Sequence, residues 1–227
     1  MTSALPEGPF GLFLQGLLLV PLTLLPIMNP LSTASVFVST LGGRTDAAKR
    51  LARQIAINSF VVLVCAMLVG TYVLSAFGIS LPVVRIGGGL LVAATGWRML
   101  GAREESVQTT VAEEASAMSN KEVMQRSFLP MTFPLTTGPG TIAACIALGA
   151  KVPADNPLHY LLGATTAVCG ALIVVSLLYL ILRHSVAVVR RLGPTGALVL
   201  QQLMAFILLC IGIELLWGGI VELEFPG

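Results

Sequence analysis

The sequence predicts an all-α polytopic membrane protein: six transmembrane helices arranged as two inverted three-helix repeats, with helices 1 and 4 discontinuous. Three observations carry this. Of 227 residues, 56% are hydrophobic and only 11% are charged, where soluble domains carry about 25% charged residues. The apolar residues fall in six runs, near 10–41, 54–76, 80–101, 128–149, 158–182 and 196–220, most close to the roughly 20 residues a spanning helix needs. Prolines then interrupt the first run of each half at matching places. The same composition excludes a disordered chain, a basic nucleic-acid binder and an ordinary soluble enzyme. A net charge of +2 says nothing about partners.

The first run is too long for one straight crossing. At about 1.5 Å per residue it reaches about 48 Å, against a hydrocarbon core of about 30 Å, so it must tilt or break. It is not a secretory signal, because no Lys or Arg precedes Arg44. Runs two and three are joined by a short segment. A polar stretch, 102–127, rich in Glu, Ser, Thr and Ala, follows run three and divides the chain into a first repeat (1–101), a cytoplasmic linker and a second repeat (128–227).

Positive charge orients the spans. Arg44, Lys49, Arg50 and Arg53 lie between runs one and two; Arg98, Arg103, Lys121 and Arg126 flank the linker; Arg183, Arg190 and Arg191 lie between runs five and six. By the positive-inside rule these three segments are cytoplasmic. Six spans then place both termini outside.

Three spans per half give the halves opposite orientation, so echoes between them are informative. Residues 24–36 read LLPIMNPLSTASV and residues 132–144 read TFPLTTGPGTIAA. Pro26 matches Pro134, and Pro30 matches Pro139 after a one-residue gap. Ser32 then falls on Thr141, and Ala34 on Ala143. A weaker echo aligns Arg85-Ile-Gly-Gly-Gly-Leu with the stretch beginning at Gln202.

Proline in a helix removes a hydrogen bond and clashes with the preceding turn, at about 3 kcal/mol or more. Two prolines four or five residues apart argue against an unbroken helix. Asn29-Pro30 and Gly138-Pro139 both have the grammar of a fresh start, a capping residue followed by Pro at the first helical position. New half-helices are therefore expected near Pro30 and Pro139. Their free N–H groups carry partial positive charge, and paired breaks in inverted halves point to a transporter's substrate site. The N–H groups near Ser32, Thr33, Gly140 and Thr141 suit a carboxylate. The hydroxyls of Ser32, Thr33, Thr136, Thr137 and Thr141, with the Asn29 amide, suit a small polar ligand. Gly138 and Gly140 allow close backbone approach. The opposing reading is that prolines kink membrane helices structurally, with neighbours satisfying the freed groups.

Arg85 and Glu214 are the charges that lie clearly within the apolar runs, away from their ends. Such charges are expensive and are functional candidates. At similar depth they are expected to pair, to reach the interface, or to leave Glu214 as a proton carrier. Asn58 and Gln202 are expected to bond between helices. Gly88, Gly89, Ala93 and Gly96 form a small-residue stripe for close packing. Trp97 and Trp217 fall toward span ends. The four cysteines form no CxxC pair, and no metal or cofactor site is expected. Neither a Gly-x-Ser-x-Gly nor a His-Glu-x-x-His motif occurs, so an enzyme is not expected.

The stretches LLPIMNPLSTASVF, FGISLPVVRIGGGLLVAATGWRML, MTFPLTTGPGTIA and QQLMAFILLCIGIELLWGGI resemble the MarC family of bacterial inner-membrane proteins. The likeness spans nearly the whole chain and is weakest in 102–127. It implies six helices in inverted repeats, a multi-pass protein of the bacterial inner membrane with periplasmic termini, and transport of small neutral amino acids such as glycine and alanine. It carries Asn29-Pro30 and Gly138-Pro139-Gly140 over as the discontinuous substrate-binding segments. The chain departs from the family pattern at Gln202, where Arg is common, and at Glu214, where an uncharged polar residue is usual. The implied partners are a small-molecule substrate and the lipid bilayer, with no nucleic acid. The competing expectation is a structural or regulatory membrane subunit without transport.

Overall fold

A computed structural model describes residues 9–41, 45–101, 132–133, 135–150 and 157–224. The linker, Pro134 and both ends of the chain fall outside the described residues. Every regular element among the described residues is helical. In chain order these are α1 (Pro9–Met28), α2 (Pro30–Leu41), α3 (Thr45–Ala76), α4 (Leu81–Gly101), α5 (Pro139–Gly149), α6 (Pro157–Arg183) and α7 (Ser185–Glu224).

Four segments are long and apolar enough to cross a membrane: Ala48–Ala76, Leu81–Gly101, Tyr160–Arg183 and Thr195–Glu224. A fifth is the pair Phe13–Met28 and Pro30–Val38, bent by 43° at a one-residue break. The fourth apolar run of the sequence differs from expectation. Its described part is a turn at 132–136 followed by the 11-residue α5. At about 1.5 Å per residue, α5 covers about 16 Å, half a hydrocarbon core.

Two boundaries move outward from the apolar runs because polar turns extend the helices beyond the lipid. α3 begins at Thr45 and carries Lys49, Arg50 and Arg53 on its first turns. The segment after Arg183 is helical rather than a loop. α7 starts at Ser185 and kinks at Gly193, whose φ of +64° only glycine adopts without strain.

The core lies among α1, α2, α3 and α6. Leu24, Met28, Phe37, Leu51, Ile55, Leu63, Val174, Leu178 and Leu182 are fully buried there. Large apolar side chains also cover the outside, among them Leu22, Tyr72, Leu161 and Val199, together with Trp97 and Trp217. This is the surface expected of a chain whose solvent is lipid rather than water.

α4 and α7 run antiparallel and meet backbone to backbone. A Cβ on Gly89 would lie 2.6 Å from the Leu216 nitrogen and 2.7 Å from the Gly212 oxygen. One on Gly96 would lie 2.7 Å from the Leu209 nitrogen and 2.8 Å from the Ala205 oxygen. Gly212 and Gly219 face α4 in the same way, against Ala93 and against Pro82 with Ile86. Lipid gives apolar side chains no reason to leave it, so close backbone contact at small residues supplies the cohesion. The small-residue stripe expected of α4 is therefore its contact with α7, while Gly88 packs instead on Ala143 of α5.

Gly89→Leu and Gly212→Leu are each expected to lower the melting temperature in detergent sharply, since overpacking costs about 1–3 kcal/mol. Gly87→Leu and Gly218→Leu, with open space around them, should melt like the wild type. Circular dichroism melts of the four variants check this.

Candidate functional site

The first break is organised by one residue. Asn29 is buried and left-handed, with φ +42°, a conformation that Asn tolerates better than most residues. Pro30 has no N–H to give, so the last turn of α1 closes early. The Asn29 N–H reaches the Leu25 and Pro26 oxygens at 3.1 and 3.2 Å. The Asn29 oxygen then accepts from the Thr33 N–H at 3.1 Å and from the Thr33 hydroxyl at 3.2 Å. Its side-chain Oδ1 accepts from the Ser32 N–H at 3.3 Å. Asn29 thus caps its own new helix, and two of the N–H groups expected to be free, those of Ser32 and Thr33, are already used. Its Nδ2 donates to Met99 Sδ on α4 at 3.5 Å. Pro26 lies inside α1, one turn before the break.

The second break is built differently. The Thr137 N–H and hydroxyl both donate to the Thr132 oxygen, at 2.7 and 2.9 Å, closing a wide five-residue turn. Gly138 is extended (φ −73°, ψ 175°), and α5 starts at Pro139. Gly138 has no side chain, and α5 begins with no side-chain cap. Thr132, Thr136, Thr137 and Thr141 are all buried, Thr141 at 3% exposure in the first turn of α5. Gly140 serves packing: a Cβ there would lie 2.5 Å from Val92 Cγ2 on α4.

α4 relates the two breaks. Gly140 meets it at Val92 and Asn29 meets it at Met99. Seven residues of helix separate those levels by about 10 Å. The hydroxyls expected at the site are partly committed, since those of Thr33 and Thr137 donate to backbone oxygens. Pro134 lies outside the described residues.

The charged residues pair otherwise than expected. Arg85 bonds Glu222, not Glu214. α4 and α7 are antiparallel, so Arg85 lies level with Gly219 and reaches outward to the next turn of α7. Glu214 is exposed on α7, among Ile213 and Trp217. The α4–α7 register, not depth along the spans, is what brings Glu222 to Arg85. Asn58 accepts from Gln54 one turn away on its own helix, at 3.2 Å, and Gln202 is exposed, so neither links two helices. All four cysteines are free. No group of three His, Cys, Asp or Glu among the described residues is placed to hold a metal.

Interrupted helices packed among long apolar ones define a polytopic integral membrane protein. The chain belongs to the MarC family of integral membrane proteins, whose family model matches residues 14–223. It is 33% identical over 203 residues to the UPF0056 inner membrane protein MarC of Escherichia coli O1:K1, an alignment covering 88% of this chain and 91% of that protein. The proteins of the same name from Citrobacter koseri and Salmonella paratyphi B are 34% and 32% identical over 204 residues, with the same coverage. No solved structure matches the chain.

The cap at Asn29 generates a stability prediction. Asn29→Ala removes the cap and puts at positive φ a residue that tolerates it less well than Asn, and is expected to cost about 1 kcal/mol or more. Asn29→Gly, which accepts the backbone conformation, should cost only a few tenths of that. A larger melting-temperature loss for Gly than for Ala would remove Asn29's role as a self-cap.

Proposed function

We propose that this protein is a secondary transporter of small neutral amino acids, glycine or alanine in size, working by alternating access in the bacterial inner membrane. The observation that carries the reading is the pair of helix restarts, at Pro30 and Pro139, both lying against α4. Half-helix ends at membrane depth are the usual seats of a transporter's substrate and coupling ions. The names of the inner-membrane relatives supply the compartment, and the clustered arginines supply an orientation with both termini periplasmic.

An inverted repeat is part of the proposal, and the α4–α7 contact supports it. Gly89 meets Gly212 and Leu216, while Gly212 meets Ala93; Gly96 meets Ala205 and Leu209, while Gly219 meets Pro82 and Ile86. Each contact returns when α4 positions are advanced by 123, the behaviour of two helices exchanged by a two-fold axis. By this symmetry Leu208 is the counterpart of Arg85, six positions from the Gln202 of the sequence echo. The packing of α5 on α3 and α4 likewise answers that of α2 on α6 and α7. Six spans then comprise the bent α1–α2, α3, α4, the broken segment ending in α5, α6 and α7.

The two restarts have different chemistry. Asn29 caps α2 from within, whereas Gly138 leaves the start of α5 without a side-chain acceptor. The carboxylate of the amino acid is therefore assigned to the Gly140 and Thr141 N–H groups, where the helix dipole favours negative charge. Thr136, Thr137 and Thr141 place hydroxyl oxygens around it, and Ser32, Thr33 and Asn29 border the same region from α2. No chemical step is involved, and the protein is proposed to act as a carrier rather than an enzyme.

Counterflow of labelled glycine, alanine, serine and threonine into proteoliposomes tests the proposal. Saturable exchange of at least one is expected. Thr141→Val should raise the half-saturation concentration about three- to tenfold, the loss of one hydrogen bond, without lowering the melting temperature. Unaltered exchange by Thr141→Val removes the site assignment. Absence of exchange from folded protein, with a stoichiometric partner co-purifying, would instead favour a structural or regulatory subunit.

A further inference from the structure

A cavity of about 280 Å³ opens where α3 ends, α5 ends and α6 begins. It lies at the end of the bundle remote from the exposed Arg50, Arg53, Arg98 and Arg183. Its wall includes Gly149, the last residue of the half-helix α5, and Ala150, which caps it, with Gly149 tight against the Met67 backbone. Met67 and Leu68 contribute apolar surface, Thr71 and Ser75 hydroxyls, and Tyr72 and Tyr160 two phenols that come together across it. The Ser75 hydroxyl donates to the Thr71 oxygen at 2.9 Å. The described lining contains no charged side chain.

We infer that this cavity is a docking site for a primary ammonium group, the end by which an amino acid enters from that side of the membrane. The C-terminus of α5 presents carbonyl oxygens and partial negative charge, which repels a carboxylate and attracts a cation. Two tyrosine rings add their negative faces, which hold an ammonium over them. Hydroxyl oxygens complete an uncharged set of polar groups, strong enough to orient an ammonium and too weak to trap it. α5 then acts at both ends, with its C-terminus receiving the ammonium at the mouth and its N-terminus receiving the carboxylate deeper in the bundle. The second half of this statement rests on the transporter reading; the ammonium site does not.

The test is calorimetric titration of the full chain in detergent with ethylammonium chloride, and with sodium acetate and 1-propanol for comparison. Wild type should bind ethylammonium saturably and neither of the others. Tyr72→Ala and Tyr160→Ala, at exposed positions, should keep the wild-type melting temperature and weaken binding about tenfold. Tyr72→Phe and Tyr160→Phe, which keep the rings, should stay within about threefold of wild type. No ethylammonium binding by folded wild type, equal binding of 1-propanol, or unchanged binding in both Ala variants overturns the inference. Ethylammonium binding without amino acid exchange in proteoliposomes leaves this site standing and removes the transporter reading. Exchange without ethylammonium binding does the reverse.

Discussion

Water does not reach the middle of a bilayer, so each backbone N–H and C=O there must find its partner within the protein. The rest of this structure follows from where the chain breaks that ladder. Pro30 and Pro139 each delete a donor and force a restart. The groups set free are then handled locally. At the first break Asn29 turns left-handed, bonds back to α1 and caps α2. At the second, Thr132 accepts twice from Thr137 and the chain runs extended through Gly138. The same backbone problem has one solution that is self-contained and one that ends in an uncapped helix start.

The surrounding helices hold those restarts in place by two kinds of packing. α1, α2, α3 and α6 enclose large side chains such as Phe37 and Leu178. α4 and α7 do the opposite and remove side chains, so that glycine lies against backbone. A bilayer rewards close contact more than burial of apolar area, because lipid is as apolar as leucine. The broad apolar exterior and the thin glycine seam are two consequences of that single fact. Near the ends of α4 and α7 the Arg85–Glu222 pair ties their outward turns together.

Much of the fold was legible in the sequence because hydrocarbon thickness and proline chemistry are strict. The spans around 54–76, 80–101 and 158–182 and the restarts at Pro30 and Pro139 fall where length and proline placement put them. What escaped depended on tertiary register or on local polar chemistry. Arg85 and Glu214 look like partners when depth alone is counted, yet the antiparallel seam brings Glu222 to Arg85. Asn58 looked like a hydrogen-bond partner between helices, but its amide oxygen accepts from Gln54 one turn away on the same helix. Gly140 looked like a place for a ligand's approach alone, yet its Cα also serves packing, against Val92 of α4. The hydroxyls around the second break were visible as a threonine cluster. That Thr137 spends its donors on the Thr132 oxygen was not, because no hydrophobic pattern encodes a wide turn.

The glycine seam also limits how this molecule moves. With Gly89, Gly96, Gly212 and Gly219 interlocked at backbone distance, α4 and α7 have no room to slide or roll past one another by even one residue. They form a keel. Any rearrangement that opens one side of the membrane and shuts the other must leave that keel intact and swing the remaining helices about it. The short α5, held to α4 at Gly88 and Val92 and to the α3 backbone at Gly149, is seated on that keel rather than free of it.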